Sequence, residues 1–268
     1  MKLDPATHQD LARRLHQAQR SRTQLEHFSR LHPQMDIEDS YAIQKAWMDL
    51  SLAEGRRVIG HKIGLTSRAM QIASQITEPD YGTLLDDMLL RDGAEIDAAR
   101  FIVPRLEVEF AFVLARDLQG PDVSLLDVLN ATDHVVPALE LIDARIEQFD
   151  RHTQAPRKVL DTIADNAANG AIILGSSPRR PDAVDWRWAG ALLFKNGTIE
   201  ESGLGAAVLN HPANGVAWLA NRLAPYGQGL KAGEIVLGGS FTRPVACARG
   251  DVFHADYGPL GSISARFV

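Results

Sequence analysis

The sequence predicts an α+β protein: a helical N-terminal region over residues 1–57 set on a β-rich body over residues 58–268, with a soft join near 55–65. Three observations lead there. Apolar residues recur at helical spacing mainly in the N-terminal part. From Val58 onward, short apolar runs alternate with Gly, Asp and Pro. Those runs lack the regular strand–helix alternation of a doubly wound sheet, so a mixed sheet system is expected instead.

In order along the chain, Thr7 with Asp10 three residues on resembles a capping box, and Leu11, Leu15 and Ala18 then share one face. Pro33 and the acidic stretch Asp36–Ser40 mark a second helix start, followed by Tyr41, Ile43, Trp47 and Leu50 and a stop at Gly55. VIGHKIGL, RFIVPRLEVEFAFVLA, HVVPALELID, GAIILG, GALLFKNG, GEIVLGGSF and GSISARFV read as strands. His211–Leu223 interrupts them as a helix, with Pro212 in its first turn, a Val216–Leu219–Leu223 stripe and Gly227 to close it.

Composition excludes several function classes. The 268 residues are 45% apolar and 23% charged, and carry 28 Lys and Arg against 34 Asp and Glu, for a formal charge of −6. A mildly acidic chain does not suit non-specific gripping of nucleic acid, which requires clustered positive charge. No apolar run reaches the roughly 18 residues of a membrane span, and the polar start MKLDPATHQDLARR lacks a secretory core, so a soluble, cytoplasmic protein is expected. The lone Cys247 excludes an internal disulfide framework and any multi-cysteine metal site, and reads as an inert core residue.

The chemistry concentrates in RLEVEFAFVL, residues 105–114. On a strand, Leu106, Val108, Phe110 and Phe112 share one face, and Glu107 and Glu109 the other, where Ala111 and Val113 follow. That second face either meets water or is buried, and the apolar continuation argues for burial. Glu140 likewise stands inside the apolar run VVPALELI. A buried carboxylate raises its pKa or finds a cation, which for Glu140 is either a salt bridge to Arg105 or Arg145 or a metal. Three carboxylates converging within ~5 Å repel by about 3 kcal/mol per pair at an effective dielectric near 20. A divalent cation removes that cost, and an all-oxygen set favours Mg²⁺ or Mn²⁺.

Other polar groups sit in apolar or glycine-rich settings. Lys62, between Gly60 and Gly64, reads as a carboxylate anchor or proton donor, or else as an edge lysine; its neighbour His61 reads as structural. Asp80 reads as a turn residue or a general base. Asp161–Gly170 reads as a loop packed by internal hydrogen bonds. Gly238-Gly239-Ser240-Phe241-Thr242-Arg243 reads as a carboxylate cradle, with Ser240 and Thr242 hydroxyls and the Arg243 fork, or as a simple hairpin.

The segments GHKIGLTSRAMQ, ITEPDYGTLLDDM, FIVPRLEVEFAFVL, VVPALELIDARI, DTIADNAANGAIILG, ESGLGAAVLNHPANGVAWLANRLA and GSFTRPV together resemble the hydratase/decarboxylase branch of the fumarylacetoacetate hydrolase superfamily, from about Ile37 to the C-terminus. The resemblance implies a mixed β-sheet roll as the catalytic domain, Mg²⁺ dependence (with Mn²⁺ as substitute) and a homo-oligomer. It matches Glu107, Glu109 and Glu140 to the metal ligands and Lys62 and Asp80 to proton transfer. Gly239, Ser240 and Thr242 match the family's substrate-binding turn. The implied reaction is hydration of a 2-oxo-enoate dicarboxylate in aromatic meta-cleavage catabolism, on the homoprotocatechuate route. Arg243 is the expected partner of the distal carboxylate. The water-activating His–Glu arrangement of the hydrolase members has no counterpart the sequence reveals, which argues against carbon–carbon hydrolysis. The ligand motif leaves open a 4-oxalocrotonate-type decarboxylase, a 2-hydroxypentadienoate hydratase, an isomerase, and a non-catalytic subunit associated with a pathway decarboxylase.

Overall fold

The computed structural model describes residues 1–73 and 76–268. Its helices are α1 (Pro5–Ser21), α2 (Phe28–Leu31), α3 (Ile37–Ala53), α4 (Arg68–Ala73), α5 (Leu125–Ala131), α6 (Val159–Ala164) and α7 (Pro212–Leu223). Its strands are β1 (Val58–Gly64), β2 (Asp80–Leu85), β3 (Leu89–Leu90), β4 (Ala94–Ile96), β5 (Arg105–Leu114), β6 (Thr132–Ile142), β7 (Asn169–Leu174), β8 (Gly190–Lys195), β9 (Thr198–Leu204), β10 (Ile235–Leu237), β11 (Val245–Ala246), β12 (Val252–Asp256) and β13 (Ser262–Phe267). The larger sheet runs β2-β1-β10-β5-β6-β7-β3, with β11 also on β5; the smaller runs β4-β13-β12-β8-β9. Both are mixed: β1 with β10, β3 with β7 and β4 with β13 are parallel, and β5 with β6 is antiparallel. The α+β class and the mixed sheets expected from the strand punctuation are therefore present.

Helix α3 begins where the acidic stretch suggested, capped reciprocally by Asp36 and Asp39, and Gly55 follows it at φ +91°. Helix α7 starts with Pro212 at its first turn, as expected. Helix α1 starts earlier than the Thr7 box suggested. Asp4 is the cap, accepting from the Thr7 amide at 3.0 Å, and Pro5 takes the first helical position, where its missing N–H costs nothing. Asp161–Gly170 is not one loop. It holds the end of α6, then a turn in which Asn166, Ala167 and Ala168 all take left-handed φ of 51–58°, then the start of β7. Left-handed backbone costs non-glycine residues about 1–2 kcal/mol each. The turn is held by the buried Arg145, whose Nη2 donates to Asp165 O at 2.7 Å and whose Nη1 donates to Asn169 O at 2.8 Å.

The central strand β5 is buried on both faces. Leu106, Val108, Phe110 and Phe112 join one apolar core with Leu193, Phe253, Ile263 and Phe267 of the smaller sheet. Phe110 meets Trp186, Phe241 and Tyr257 with ring centroids 5.0–5.8 Å apart. The opposite face of the larger sheet carries a smaller apolar floor of Leu84, Ala111, Val136, Ala138, Ile172 and Leu237. The helical region is tied to its edge: Gln44 of α3 donates to Tyr81 O at 2.9 Å and Ile163 O at 3.1 Å, and Tyr41 stacks on Tyr81 at 4.5 Å. No described helix is long and apolar enough to cross a membrane.

Candidate metal centre and active site

Two residues apart on β5, Glu107 and Glu109 project from the same face, and the register sets Glu140 of β6 directly opposite Glu107. Like charges directly opposite one another destabilise a sheet, so this pairing requires compensation. One carboxylate oxygen from each of the three lies within 4.8 Å of the others. Glu109 and Glu140 are each only 1% exposed, which overturns the reading of this face as solvated. Their neighbours on the same face, Ala111 and Ala138, are small and belong to the apolar floor.

Lys62 reaches the cluster from across β10. The register Lys62–Leu237–Ala111 places it on the same face, and its Nζ lies 3.0 Å from Glu140 Oε1. The salt bridge weighed for Glu140 therefore exists, with Lys62 rather than Arg105 or Arg145; Arg145 is paired with Asp165 at 2.6 Å. Asp80 opens β2 opposite Gly64. A Cβ on Gly64 would stand 2.2 Å from Asp80 Oδ1 and 3.6 Å from Lys62 Nζ, so glycine at 64 is what lets the aspartate lie over the strand. Neither Asp80 oxygen has a hydrogen-bond partner among the described residues. His61 faces the other way, 3.5 Å from Glu234, in keeping with a structural role.

Burial pushes the Glu107 carboxyl up to about 8, and the neighbouring Glu140 adds to the shift. Burial and Glu140, then Glu107, raise Glu109 well above its ordinary range. Burial also raises Asp80, although Lys62 opposes it. Burial would lower the Lys62 ammonium, but Glu140 first and then Asp80, Glu107 and Glu109 outweigh it and hold the amine protonated. So much crowded acidity requires protons or a cation. Glu109 Oε2 accepts from the Gly239 amide at 2.9 Å, while Glu109 Oε1 has no hydrogen-bond partner among the described residues and Glu140 Oε1 faces the Lys62 ammonium at 3.0 Å. Buried carboxylate oxygens without donors fit a hard divalent ion, which takes oxygen ligands and leaves further positions for a chelating substrate. Such an ion beside an ammonium and an uncommitted carboxyl can stabilise an enolate and move protons on its carbon chain.

The Gly238–Thr242 turn does cradle a carboxylate, and that carboxylate is the chain's own Glu109. Ser240 Oγ donates to Thr242 O at 2.9 Å and closes the turn on itself, and Thr242 Oγ1 accepts from the Val108 amide at 3.2 Å and ties the turn to β5. Arg243 stands apart from the enclosed acids, with its side chain 82% exposed and its Nη2 2.7 Å from Glu201. Cys247 is buried, and burial pushes its thiol up to about 12, in keeping with an inert residue.

Two contributors went unread in the sequence. The Asn166 side chain accepts from the Thr83 amide at 2.7 Å and donates to Thr83 O at 2.9 Å, so it serves β2 as a surrogate strand edge. The Tyr257 hydroxyl donates to Ala138 O at 2.6 Å, bracing β6 beneath the acids from the smaller sheet. The density of small polar residues around Asn166 was the available signal; Tyr257 offered none.

No family model matches the chain. Over 265 residues it is 62% identical to 2-oxo-hept-4-ene-1,7-dioate hydratase of Escherichia coli, covering 99% of each chain. It is 43% identical over 256 residues to 2-hydroxyhexa-2,4-dienoate hydratase of Comamonas testosteroni, covering 95% of each. Its fold matches 4-oxalocrotonate decarboxylase from Pseudomonas putida G7, complexed with magnesium and adipate, with a TM-score of 0.94 and 34% identity over 99% of both chains. With identity at this level over nearly its whole length, and with three clustered acids arranged for a divalent metal, the chain belongs to the hydratase/decarboxylase branch of the fumarylacetoacetate hydrolase superfamily.

Proposed function

We propose that this protein is a divalent-metal-dependent hydratase that converts 2-oxo-hept-4-ene-1,7-dioate, through its 2-hydroxyhepta-2,4-diene-1,7-dioate tautomer, into 4-hydroxy-2-oxoheptane-1,7-dioate. The observation that carries this reading is the Glu107–Glu109–Glu140 cluster with Lys62 against it, in a chain 62% identical to a hydratase named for that substrate. Glu107, Glu109 and Glu140 hold the metal, with Mg²⁺ as the resident ion and Mn²⁺ as a substitute. When bound, the ion supplies electrophilic stabilisation of the negative charge that develops on the C2 oxygen. Lys62 and Asp80 carry the proton transfers: ketonisation places a proton on C5, and addition at C4 takes one from water. Lys62, held as an ammonium, also offsets acidic charge beside the reacting chain. Ser240 and Thr242 serve the substrate end by fixing the turn whose Gly239 amide orients Glu109.

A homo-oligomer is also proposed, assembled through the groove where Trp188, Leu192 and Leu204 are exposed together. A decarboxylase is the second reading, favoured by the fold match to 4-oxalocrotonate decarboxylase. One assay separates the two. Protein stripped of metal and then given Mg²⁺ is followed by loss of the dienoate ultraviolet absorbance, with the product identified by mass. A Mg²⁺-dependent gain of one water supports the hydratase, loss of CO₂ moves the protein to the decarboxylase reading, and no turnover with or without Mg²⁺ refutes both.

A further inference from the structure

We propose that Arg157 anchors the distal carboxylate of the substrate and so sets a preference for diacids over monoacids. The inference rests on the hydratase reading above. A substrate chelated through its C1 carboxylate and C2 oxygen carries its C7 carboxylate beyond the proton-transfer pair. A carboxylate enclosed there needs a cation, because desolvating it unpaired is prohibitive.

The other candidate cations are committed or distant. Lys62 is engaged by Glu140. Arg145 donates through Nε to Asp165 Oδ1, through Nη1 to Asn169 O and through Nη2 to Asp165 O, all within 2.8 Å. Arg222 gives Nη1 to the Tyr226 hydroxyl and Nη2 to Glu38. Arg243 lies in solvent on Glu201.

Arg157 differs from all of these. Its side chain is only 10% exposed, yet its nearest carboxylate is Asp165 Oδ2 at 3.8 Å, an oxygen that already accepts from the Arg145 and Ile146 amides. Nη1 donates to Ile146 O at 3.1 Å, which pins one end of the guanidinium. Among the described residues, Nε and Nη2 donate to nothing. That edge is one of the two that can receive a carboxylate bidentately.

The surroundings tie Arg157 to the strand opposite Lys62. Asp165 adjoins Asn166, whose side chain clamps Thr83 and whose carbonyl oxygen would lie 2.5 Å from a Cβ on Gly82. Gly82 is the β2 residue opposite Lys62. Asp80 lies two residues before Gly82 on the same strand, opposite Gly64. Arg157, against Asp165, therefore adjoins the segment packed on β2 beside the Lys62–Asp80 pair. A chain bound by C1 and C2 and protonated at C5 extends its C7 carboxylate past that pair.

Calorimetry on the Mg²⁺-loaded protein tests the proposal with two non-reacting probes, 2-oxoheptane-1,7-dioate and 2-oxohexanoate. In Arg157→Met the Kd ratio of monoacid to diacid should fall roughly 10- to 100-fold relative to the unsubstituted protein, the range expected for a charge-assisted pair. Monoacid binding by this variant also reports that it is folded. Arg157→Lys keeps the charge and loses the fork, so it should fall between, and it stands in if the Met variant does not fold. Equal losses for both probes, or no loss for either, would overturn the anchor and assign Arg157 a purely structural role. The hydratase reading would then remain to be judged by turnover of the unsubstituted protein.

Discussion

The close approach of Asp80 to Gly64 makes Gly64→Ala a sharp test of the proton-transfer assignment. The added Cβ would stand 2.2 Å from Asp80 Oδ1, whereas a carbon and an oxygen in ordinary contact need about 3.4 Å, so the carboxylate must retreat by about 1.2 Å. Lys62 Nζ, at 3.6 Å from the same point, is already at contact distance and need not move. Gly64 is not among the glycines with positive φ, so the backbone tolerates alanine and the effect is steric. Displacing a reacting group by about 1 Å costs on the order of 100-fold in rate. Overpacking of this kind costs about 1–3 kcal/mol in stability. We therefore expect kcat on the dienoate to fall about 100-fold, while Mg²⁺ affinity by calorimetry stays near that of the unsubstituted protein, since the acids on β5 and β6 are untouched. A folded variant with kcat within threefold would refute the claim that Asp80 at this position transfers a proton.

Two further outcomes follow from named contacts. Mg²⁺ at 100 times its Kd should stabilise the protein by about 2.7 kcal/mol and raise its Tm, whereas Glu109→Gln should lose most of that rise at the same concentration; an equal rise in both would remove Glu109 from the ligand set. Asp39 gives an acid-limb prediction. Burial opposes its ionisation, but the Lys2 and Asp36 amides, the His8 ring and the Leu3 amide outweigh burial and hold the carboxyl well below the ordinary range. A group depressed on folding contributes stability that is complete above its unfolded pKa of about 3.9 and is lost as pH falls through the folded value. Urea midpoints should therefore fall less steeply in Asp39→Asn than in the unsubstituted protein between roughly pH 4 and pH 2, and parallel curves would show that Asp39 carries no such term.

Much of the chemistry was legible in order along the chain because it depends on local spacing. The two-residue interval of Glu107 and Glu109 fixes a shared face on any strand, and an apolar run containing Glu140 announces a buried charge in need of a partner. Caps behave similarly: Asp36 marks α3 because a helix start needs an acceptor for its free amides, although at α1 two acceptors competed and Asp4 took the position ahead of Thr7. Resemblance agreed with the trio read from the residues and matched Lys62 and Asp80 to proton transfer before any register was known.

Pairings between distant residues were decided by the tertiary structure. Spacing cannot say that Glu140 faces Glu107 across β5 and β6, or that Lys62 of β1 reaches Glu140 of β6 over β10 and β5. It read the glycine-rich turn as a site for a foreign carboxylate, and the fold directs that turn onto Glu109. It chose Arg243 because it follows that turn, yet the fold leaves Arg243 in solvent and buries Arg157 with one edge uncommitted. Composition and alternation are local properties, which the sequence states directly. Strand register, the direction of a long side chain and the saturation of a donor depend on contacts between segments many residues apart, and these exist only once the sheets have formed.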